Sequence, residues 1–384
     1  MRILHTADWH LGKIVNFVHM TEDQRYILEQ LIEIVKEQQP DALIIAGDLY
    51  DRSIPPKEAV DLLNQVLTTL INELNIPVLA ISGNHDSPDR LEFGSRLFRK
   101  QGLYLDTKLL TEREPVTLQD EFGPVHFHLI PYLEPAEAAY VLADDSIKTH
   151  QQAAEALVED IKLRFNMDER HVWVGHSFLA GGMESESEER LSMIGGSPYV
   201  HAHLFQDFSY VALGHLHQPQ QVTQASIRYS GSILKYSFSE ANHNKSVTMV
   251  ELDDGGMNSF EKIPLKPIRD FEVIEGYFED LLLGNAAEDL RNYLHIRLLD
   301  DGQLIDPMGK LRKVYPNILH LERKRMTGEN QFENLEKVQK RQRMSHADLF
   351  NLFYEELKGD TMPEERRQMV TQAIEKLKES ERGR

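Results

Sequence analysis

The sequence predicts a layered α/β protein, a core of central β-sheets flanked by helices, followed by a small α/β cap and a C-terminal helical pair. Three observations carry this. Short apolar runs alternate with amphipathic helical stretches over the first 265 residues, the rhythm of a layered α/β domain. Five of those runs end in a turn bearing Asp, Asn or His. At 384 residues the chain exceeds a typical single core, so two or three domains follow.

The first run, Ile3-Leu4-His5-Thr6-Ala7, exits into Asp8-Trp9-His10. Ile27, Leu28, Leu31, Ile34 and Val35 then recur at helical spacing and predict a helix from Glu22 to Gln39, which Pro40 ends. Ala42 to Ala46 exits into Gly47-Asp48-Leu49-Tyr50-Asp51, and a second helix covers Pro55 to Asn75. Ile76 to Ile81 breaks at Ser82-Gly83 and presents Asn84, His85 and Asp86 in succession. After a helical stretch between Gln151 and Arg164, Val172 to Val174 exits into Gly175-His176, and Tyr210 to Leu213 into Gly214-His215-Leu216-His217. In open α/β sheets ligands bind beyond the carboxyl ends of strands, so the five turns can converge. Val125 to Ile130, Ile227 to Gly231 and Ser246 to Leu252 are also strand-like, and leave open whether the core is two sheets or one large mixed sheet. Gly181 to Pro198, rich in Gly, Ser and Glu, reads as a mobile loop.

Lys262-Ile-Pro-Leu-Lys-Pro267 marks a boundary. It separates a core domain of residues 1–265 from a cap of 270–335 with strands at His295 to Leu299 and Ile318 to Glu322. Residues 345–384 then form two helices parted by Gly359-Asp360, the second opening on the capping-box pattern Thr361-Met-Pro-Glu364. Leu349, Phe350, Leu352, Phe353, Tyr354 and Leu357 on one helix, and Met369, Val370, Ala373, Ile374 and Leu377 on the other, form apolar faces that must be buried against something.

A hydrophobic content of 41% and a charged content of 27% exclude a disordered chain. The absence of cysteine excludes disulfides, a thiolate nucleophile and Cys-type zinc sites, and agrees with a reducing compartment. Without an apolar run of membrane-spanning length or a signal-peptide pattern at the N-terminus, the expected location is the cytoplasm, away from the membrane. The net charge of −20 means that any contact with nucleic acid needs a local basic patch or a basic partner. Lys310, Arg312 and Lys313, then Arg323, Lys324 and Arg325, then Lys337, Lys340, Arg341 and Arg343 are such stretches, although a solvated charged face explains any one of them equally well.

The strand-exit turns collect Asp8, His10, Asp48, Asn84, His85, His176, His215 and His217. Two carboxylates, an amide and imidazoles form a mixed N/O set suited to Mn²⁺, Fe²⁺ or Zn²⁺ rather than Ca²⁺. They are too many for one ion. Two divalent ions against Asp8 and Asp48 leave a site of about +2, which attracts phosphate. Two such ions can activate a water and hold a phosphoryl group for in-line attack. His85, beside the expected ligand Asn84, is placed to protonate the leaving oxygen, and Asp86 is placed to orient His85. His126 and His128 lie within a strand-like run, and His201 and His203 in an irregular stretch, so neither pair joins the set.

The ordered series Asp8-x-His10, Gly47-Asp48, Gly83-Asn84-His85-Asp86, Gly175-His176 and Gly214-His215-x-His217 resembles the calcineurin-like metallophosphoesterase superfamily. More narrowly, His5 to Lys13, Gly47 to Asp51, Tyr210 to His217 and Tyr229-Ser-Gly-Ser resemble its bacterial nuclease branch. The resemblance implies a layered metallophosphoesterase core in which Asp8, His10, Asp48 and His217 hold one metal and Asp48, Asn84, His176 and His215 the other, with Asp48 bridging and His85 catalytic. It implies Mn²⁺, a coiled-coil ATPase partner docked on the C-terminal helices, a nuclease dimer with two ATPase chains, and DNA ends and hairpins as substrates. Where relatives often carry a second histidine three residues after the bridging Asp, this chain has Asp51, a turn residue without a catalytic role. A phosphoprotein phosphatase or nucleotide phosphodiesterase, and a non-catalytic assembly subunit with a structural metal site, are the competing expectations.

Overall fold

The computed structural model describes residues 1–188, 199–301 and 303–324, with scattered positions between 348 and 374. Contacts divide the chain into two units, Met1–Leu298 with Leu304–Glu322, and Leu299–Gln303 with Arg323–Arg384. In the second, Arg366 to Val370 is helical and Arg366 donates to the Tyr354 hydroxyl at 3.1 Å. Phe350 and Tyr354 of the first expected helix and Ile374 of the second are helical too; most of the expected helical pair and of its apolar faces, the basic residues Arg325, Lys337, Lys340, Arg341 and Arg343, and the end of the expected cap (325–335) lie outside the described residues.

The first unit begins with four parallel strands, β1 (Arg2–Thr6), β2 (Ala42–Ala46), β3 (Val78–Ile81) and β4 (Leu103–Asp106). The crossovers carry α1 (Thr21–Gln38) and α2 (Lys57–Thr68), the latter running on into a π-turn at Thr69–Glu73. Six further strands follow: β5 (Val116–Asp120), β6 (Gly123–Ile130), β7 (Arg170–His176), β8 (Tyr210–Gly214), β9 (Gln220–Val222) and β10 (Gln224–Tyr229). They form a second sheet in the order β9-β10-β8-β7-β6-β5, with α3 (Pro135–Leu142) and α4 (His150–Lys162) between β6 and β7. Thr149 and Gln152 cap α4 reciprocally. The chain then returns: β11 (Ser246–Asp253) pairs antiparallel with β1 and β12 (Gly256–Pro264) with β11, giving a first sheet ordered β12-β11-β1-β2-β3-β4. The question of one sheet or two is thus resolved as two.

The central strands are buried on both faces, which is why they read as continuous apolar runs rather than alternating ones. Ile3, Ile44, Leu79 and Ile81 meet Phe127, Val172, Val174 and Tyr210 in the layer between the sheets. Leu4, Leu43 and Ile45 turn outward and pack with Ile27 and Leu31 of α1 and Leu62 and Val66 of α2. Trp173, Val211 and Leu213 do the same with Leu157, Val158 and Ile161 of α4. The core is therefore four layers deep, helix, sheet, sheet, helix.

Past Pro264, β13 (Phe271–Gly276), β14 (Tyr293–Leu298) and β15 (Ile318–Arg323) form a three-stranded sheet with the short helices α5 (Phe278–Leu281) and α6 (Pro307–Leu311). Its own apolar cluster contains Ile274, Phe278, Leu294, Ile296, Leu311 and Tyr315. It is joined to the core at α1, where the buried Asp23 accepts from Arg269 Nε at 2.9 Å and from the Tyr293 hydroxyl at 2.9 Å. Lys310, Arg312, Lys313, Arg323 and Lys324 are exposed.

Candidate metal centre

All five turns meet where β1, β2 and β3 of one sheet and β7 and β8 of the other end. The close approach depends on glycine. A Cβ on Gly214 would lie 1.8 Å from the Ala46 carbonyl oxygen, and one on Gly83 would lie 2.1 Å from Asp48 Oδ1. Asp8, His10, Asp48 and His215 adopt φ of 52°, 46°, 51° and 101°, the left-handed region that side-chain-bearing residues rarely enter and that collects at functional sites. Strand exits this sharp aim successive side chains into one space.

Asp48 sits at the middle. Its Oδ1 accepts from the His85 backbone N–H at 3.0 Å, while Oδ2 lies 3.6 Å from His10 Nε2 and 3.4 Å from His176 Nε2. On one side, His10 Nε2 is 3.1 Å from His217 Nε2, and Asp8, His10 and His217 form a buried group of donors. On the other, Asn84 Oδ1 is 3.0 Å from His176 Nε2 and 3.3 Å from His215 Nδ1. Bonds of about 2.0–2.2 Å to a shared ion set its ligands roughly 2.8 to 3.6 Å apart, the edges of an octahedron or tetrahedron. The spacings of 3.0 to 3.6 Å around Asp48 and Asn84 all fall within that range. Asp8 supplies a further test: Oδ1 accepts from His215 N–H at 2.8 Å, but the buried Oδ2 has no hydrogen-bond partner, an arrangement that costs free energy unless a cation takes it up.

Backbone contacts set the imidazoles. His176 Nδ1 lies 2.9 Å from the Ala46 carbonyl, which can only accept, so Nδ1 carries a hydrogen and, once the ring is neutral, Nε2 is the nitrogen whose lone pair faces the centre. His217 Nδ1 is 2.7 Å from Ser187 Oγ, which itself donates to Glu240 Oε1, so the Nδ1 hydrogen points to Ser187 and Nε2 is again directed inward. His85 Nδ1 lies 2.9 Å from the Asp51 carbonyl. Burial raises the Asp8 carboxyl to about 7, although His176 and His217 pull the other way. Burial opposes the Asp48 charge too, but the surrounding His176, His10 and His85 outweigh it and hold Asp48 well below the usual range. Burial holds His215 down to about 3. Burial would also lower His176, but Asp48 prevails and raises it to about 9.

The structure thus brings together Asp8, His10, Asp48, Asn84, His85, His176, His215 and His217. Asp86 has another role from the one expected. Rather than orienting the His85 ring, its Oδ2 accepts from Leu49 N–H at 3.1 Å and Gly83 N–H at 2.9 Å, and its Oδ1 from Tyr50 N–H at 2.9 Å. It ties the second and third turns together, and the Asp51 carbonyl takes the ring. The Asp51 carboxylate accepts from Lys13 Nζ at 2.7 Å. Gly181 to Glu188 is not the free loop expected of Gly181 to Pro198: Met183 and Gln220 exchange two hydrogen bonds, and Glu188 Oε1 accepts from His217 N–H at 2.7 Å. Residues 189–198 lie outside the described residues. The excluded histidines stay apart, His126 bonded to Glu169 and His128 to His171.

Sequence reasoning missed Ser187, Glu188, Glu240 and Lys245. The last two form a buried ion pair under His217, with Lys245 Nζ also donating to the His217 carbonyl at 2.7 Å. A charged residue directly before the apolar Ser246 to Leu252 run was the one local signal.

Two facing sheets whose strand ends carry this donor series define a calcineurin-like metallophosphoesterase, and the family model for calcineurin-like phosphoesterases matches residues 1–219. A second model, described as a type 5 capsule protein repressor C-terminal domain, matches residues 267–358. The chain is 41% identical over 322 residues to a Staphylococcus epidermidis protein named as the D component of the nuclease SbcCD, covering 84% of this chain and 85% of that one. It is 42% identical to the protein of the same name from Staphylococcus saprophyticus, covering 84% of each. Within its class, the chain belongs to the SbcD family. A dimetal phosphatase from Danio rerio matches 69% of this chain and 99% of its own at 14% identity, with a TM-score of 0.43, a likeness too loose to bear on the reaction.

Proposed function

We propose that this chain is the nuclease subunit of an SbcCD-type complex, a phosphodiesterase that cleaves DNA as a double-strand exonuclease and as an endonuclease on single strands and hairpins. The observation that carries the reaction class is Asp48, one carboxylate oxygen of which lies 3.6 Å from His10 Nε2 and 3.4 Å from His176 Nε2, one ring from each group of donors. DNA as the substrate and an SbcC-type coiled-coil ATPase as the partner rest on the relatives named above. In this reading Asp8, His10, Asp48 and His217 hold one Mn²⁺ and Asp48, Asn84, His176 and His215 the other. When bound, the ions supply Lewis acidity toward a phosphoryl oxygen and lower the pKa of water. His85 holds a proton on Nε2 for the leaving oxygen while the Asp51 carbonyl fixes its Nδ1–H. Asp86 keeps the Asp48 and Asn84 turns in register.

Residues 1–265 act as the nuclease domain, 270–335 as a cap that contacts DNA, and 345–384 as the ATPase-docking segment of a nuclease dimer working in the cytoplasm. Among the described residues no helix is long and apolar enough to cross a membrane. The test is to incubate the purified chain with Mn²⁺ and linear duplex DNA, hairpin DNA, a phosphopeptide and a cyclic nucleotide in parallel. DNA cleavage that EDTA abolishes, and that Mn²⁺ restores better than Mg²⁺ because imidazole ligands serve Mg²⁺ poorly, is the expected result. Turnover of phosphopeptide alone would make the chain a phosphatase; bound metal without any turnover would make it an assembly subunit.

A further inference from the structure

A second group of metal-type donors lies in the cap, apart from the centre above. His295 on β14, and His320 and Glu322 two residues apart on β15, place one donor atom each within 4.8 Å of one another. Alternation along a strand puts residues i and i+2 on the same face, and β14 and β15 are neighbours, so all three side chains leave one face of the sheet. The imidazoles of His295 and His320 stand edge to face, with centroids 4.5 Å apart and planes at 79°. Glu322 Oε1 is 3.4 Å from His295 Nε2.

His295 makes the group more than a surface coincidence. It is 7% exposed, and its Nε2 has no hydrogen-bond partner. The Glu322 carboxylate, whose Oε1 also accepts from Arg297 Nε at 2.6 Å, stands too far from the ring nitrogen to supply a good one. A buried ring nitrogen left at 3.4 Å from a carboxylate is a poor hydrogen bond. The same distance is the edge of a tetrahedron with bonds of about 2.05 Å, and it matches the His176 to Asp48 spacing of 3.4 Å in the principal centre. Burial lowers the His295 pKa, which keeps its ring neutral, the form that binds metal. The face opens on a cavity of about 460 Å³ lined also by Tyr236, Phe238 and Ser239, so a fourth position is open to solvent.

We propose that His295, His320 and Glu322 form a mononuclear site for a borderline divalent transition ion of the Zn²⁺ class. Two imidazoles and one carboxylate are a donor set of that class. The ion clips β14 to β15 beside the cavity, and Arg297 holds the carboxylate in place.

The experiment counts ions. Full-length wild type, His320→Ala and Glu322→Gln are dialysed against micromolar free Zn²⁺ and their zinc and protein contents measured. His320 is exposed, so its replacement does not threaten folding. The expected result is three Zn²⁺ per wild-type chain and two per chain in either variant, with Mn²⁺-dependent phosphodiester hydrolysis retained. Stoichiometry equal in all three proteins overturns the proposal. One ion in wild type and none in the variants would uphold the cap site and refute the binuclear reading instead, so the two can fail separately.

Discussion

Glu240→Ala tests how the buried charges behind His217 work. Glu240 is fully buried; its Oε2 pairs with Lys245 Nζ, and its Oε1 accepts from Ser187 Oγ and from Tyr236 N–H at 3.1 Å. Burial disfavours the Glu240 charge, but the adjacent Lys245 and His217 win and hold its pKa well below the usual range. Removing the carboxylate leaves the Lys245 ammonium buried with, among the described residues, hydrogen bonds to the His217 carbonyl and Ser232 Oγ, each at 2.7 Å. Breaking a buried pair from one side costs about 3–5 kcal/mol. At an unfolding entropy of roughly 2.1 cal/mol/K per residue, this lowers the Tm by about 4–6 °C. Loss of the Ser187 relay also frees the His217 ring, which weakens metal binding about 10- to 100-fold. The assays are thermal unfolding in EDTA and equilibrium dialysis with Mn²⁺. The double variant Glu240→Ala with Lys245→Ala removes both charges and recovers at least about 2 kcal/mol relative to the sum of the single changes. Strict additivity, or a Glu240→Ala protein with wild-type Tm and metal affinity, would refute the reasoning.

His85→Ala should keep a metal content close to wild type by elemental analysis while turnover falls about 10²- to 10⁴-fold; loss of both ions would make His85 a ligand. Asp8 near 7 and His176 near 9 must shed protons to ligate, so Mn²⁺ affinity in dialysis rises with pH through 7 toward 9, and pH-stat titration detects proton release on loading. Burial holds His5 near 3, whereas an unfolded histidine titrates near 6.5. The unfolded chain therefore binds the extra proton, and stability that is present above pH 6.5 is lost as pH falls toward 3, at about 1.4 kcal/mol per pH unit. Urea unfolding at pH 7 and pH 5 should show a shallower loss in His5→Asn than in wild type.

The metal centre was legible because its signals are local. An apolar run that breaks, at glycine in four of the five cases, and continues with Asp, Asn or His is contained within a few residues, and Asp8, Asp48, Asn84, His176 and His217 each belong to one. What fixed the sheets was not local. Ile3 pairs with Val250 and Ala42 at once, and nothing near Ile3 encodes a partner so far along the chain. The same holds for Asp86, whose adjacency to His85 suggested a partner in the ring while its geometry selected three backbone amides. Ser187 and Glu240 follow no strand and sit in no motif; they matter only because the fold brings both against His217.

The position of β1 bears on how the chain is made. β1 lies inside its sheet, with β2 on one side and β11, made of residues Ser246–Asp253, on the other. Synthesis runs at about 5–20 residues per second, so roughly ten to fifty seconds separate the emergence of the first strand from that of its last neighbour. Through that interval the row of amides and carbonyls on one edge of the nascent β1 has no partner strand, the kind of edge that recruits other chains. His10 and His217 meet across 207 residues, so a chain stalled before His217 lacks the full donor set. The donor residues are thus all made before β11 emerges, so they can gather while that edge of β1 is still open.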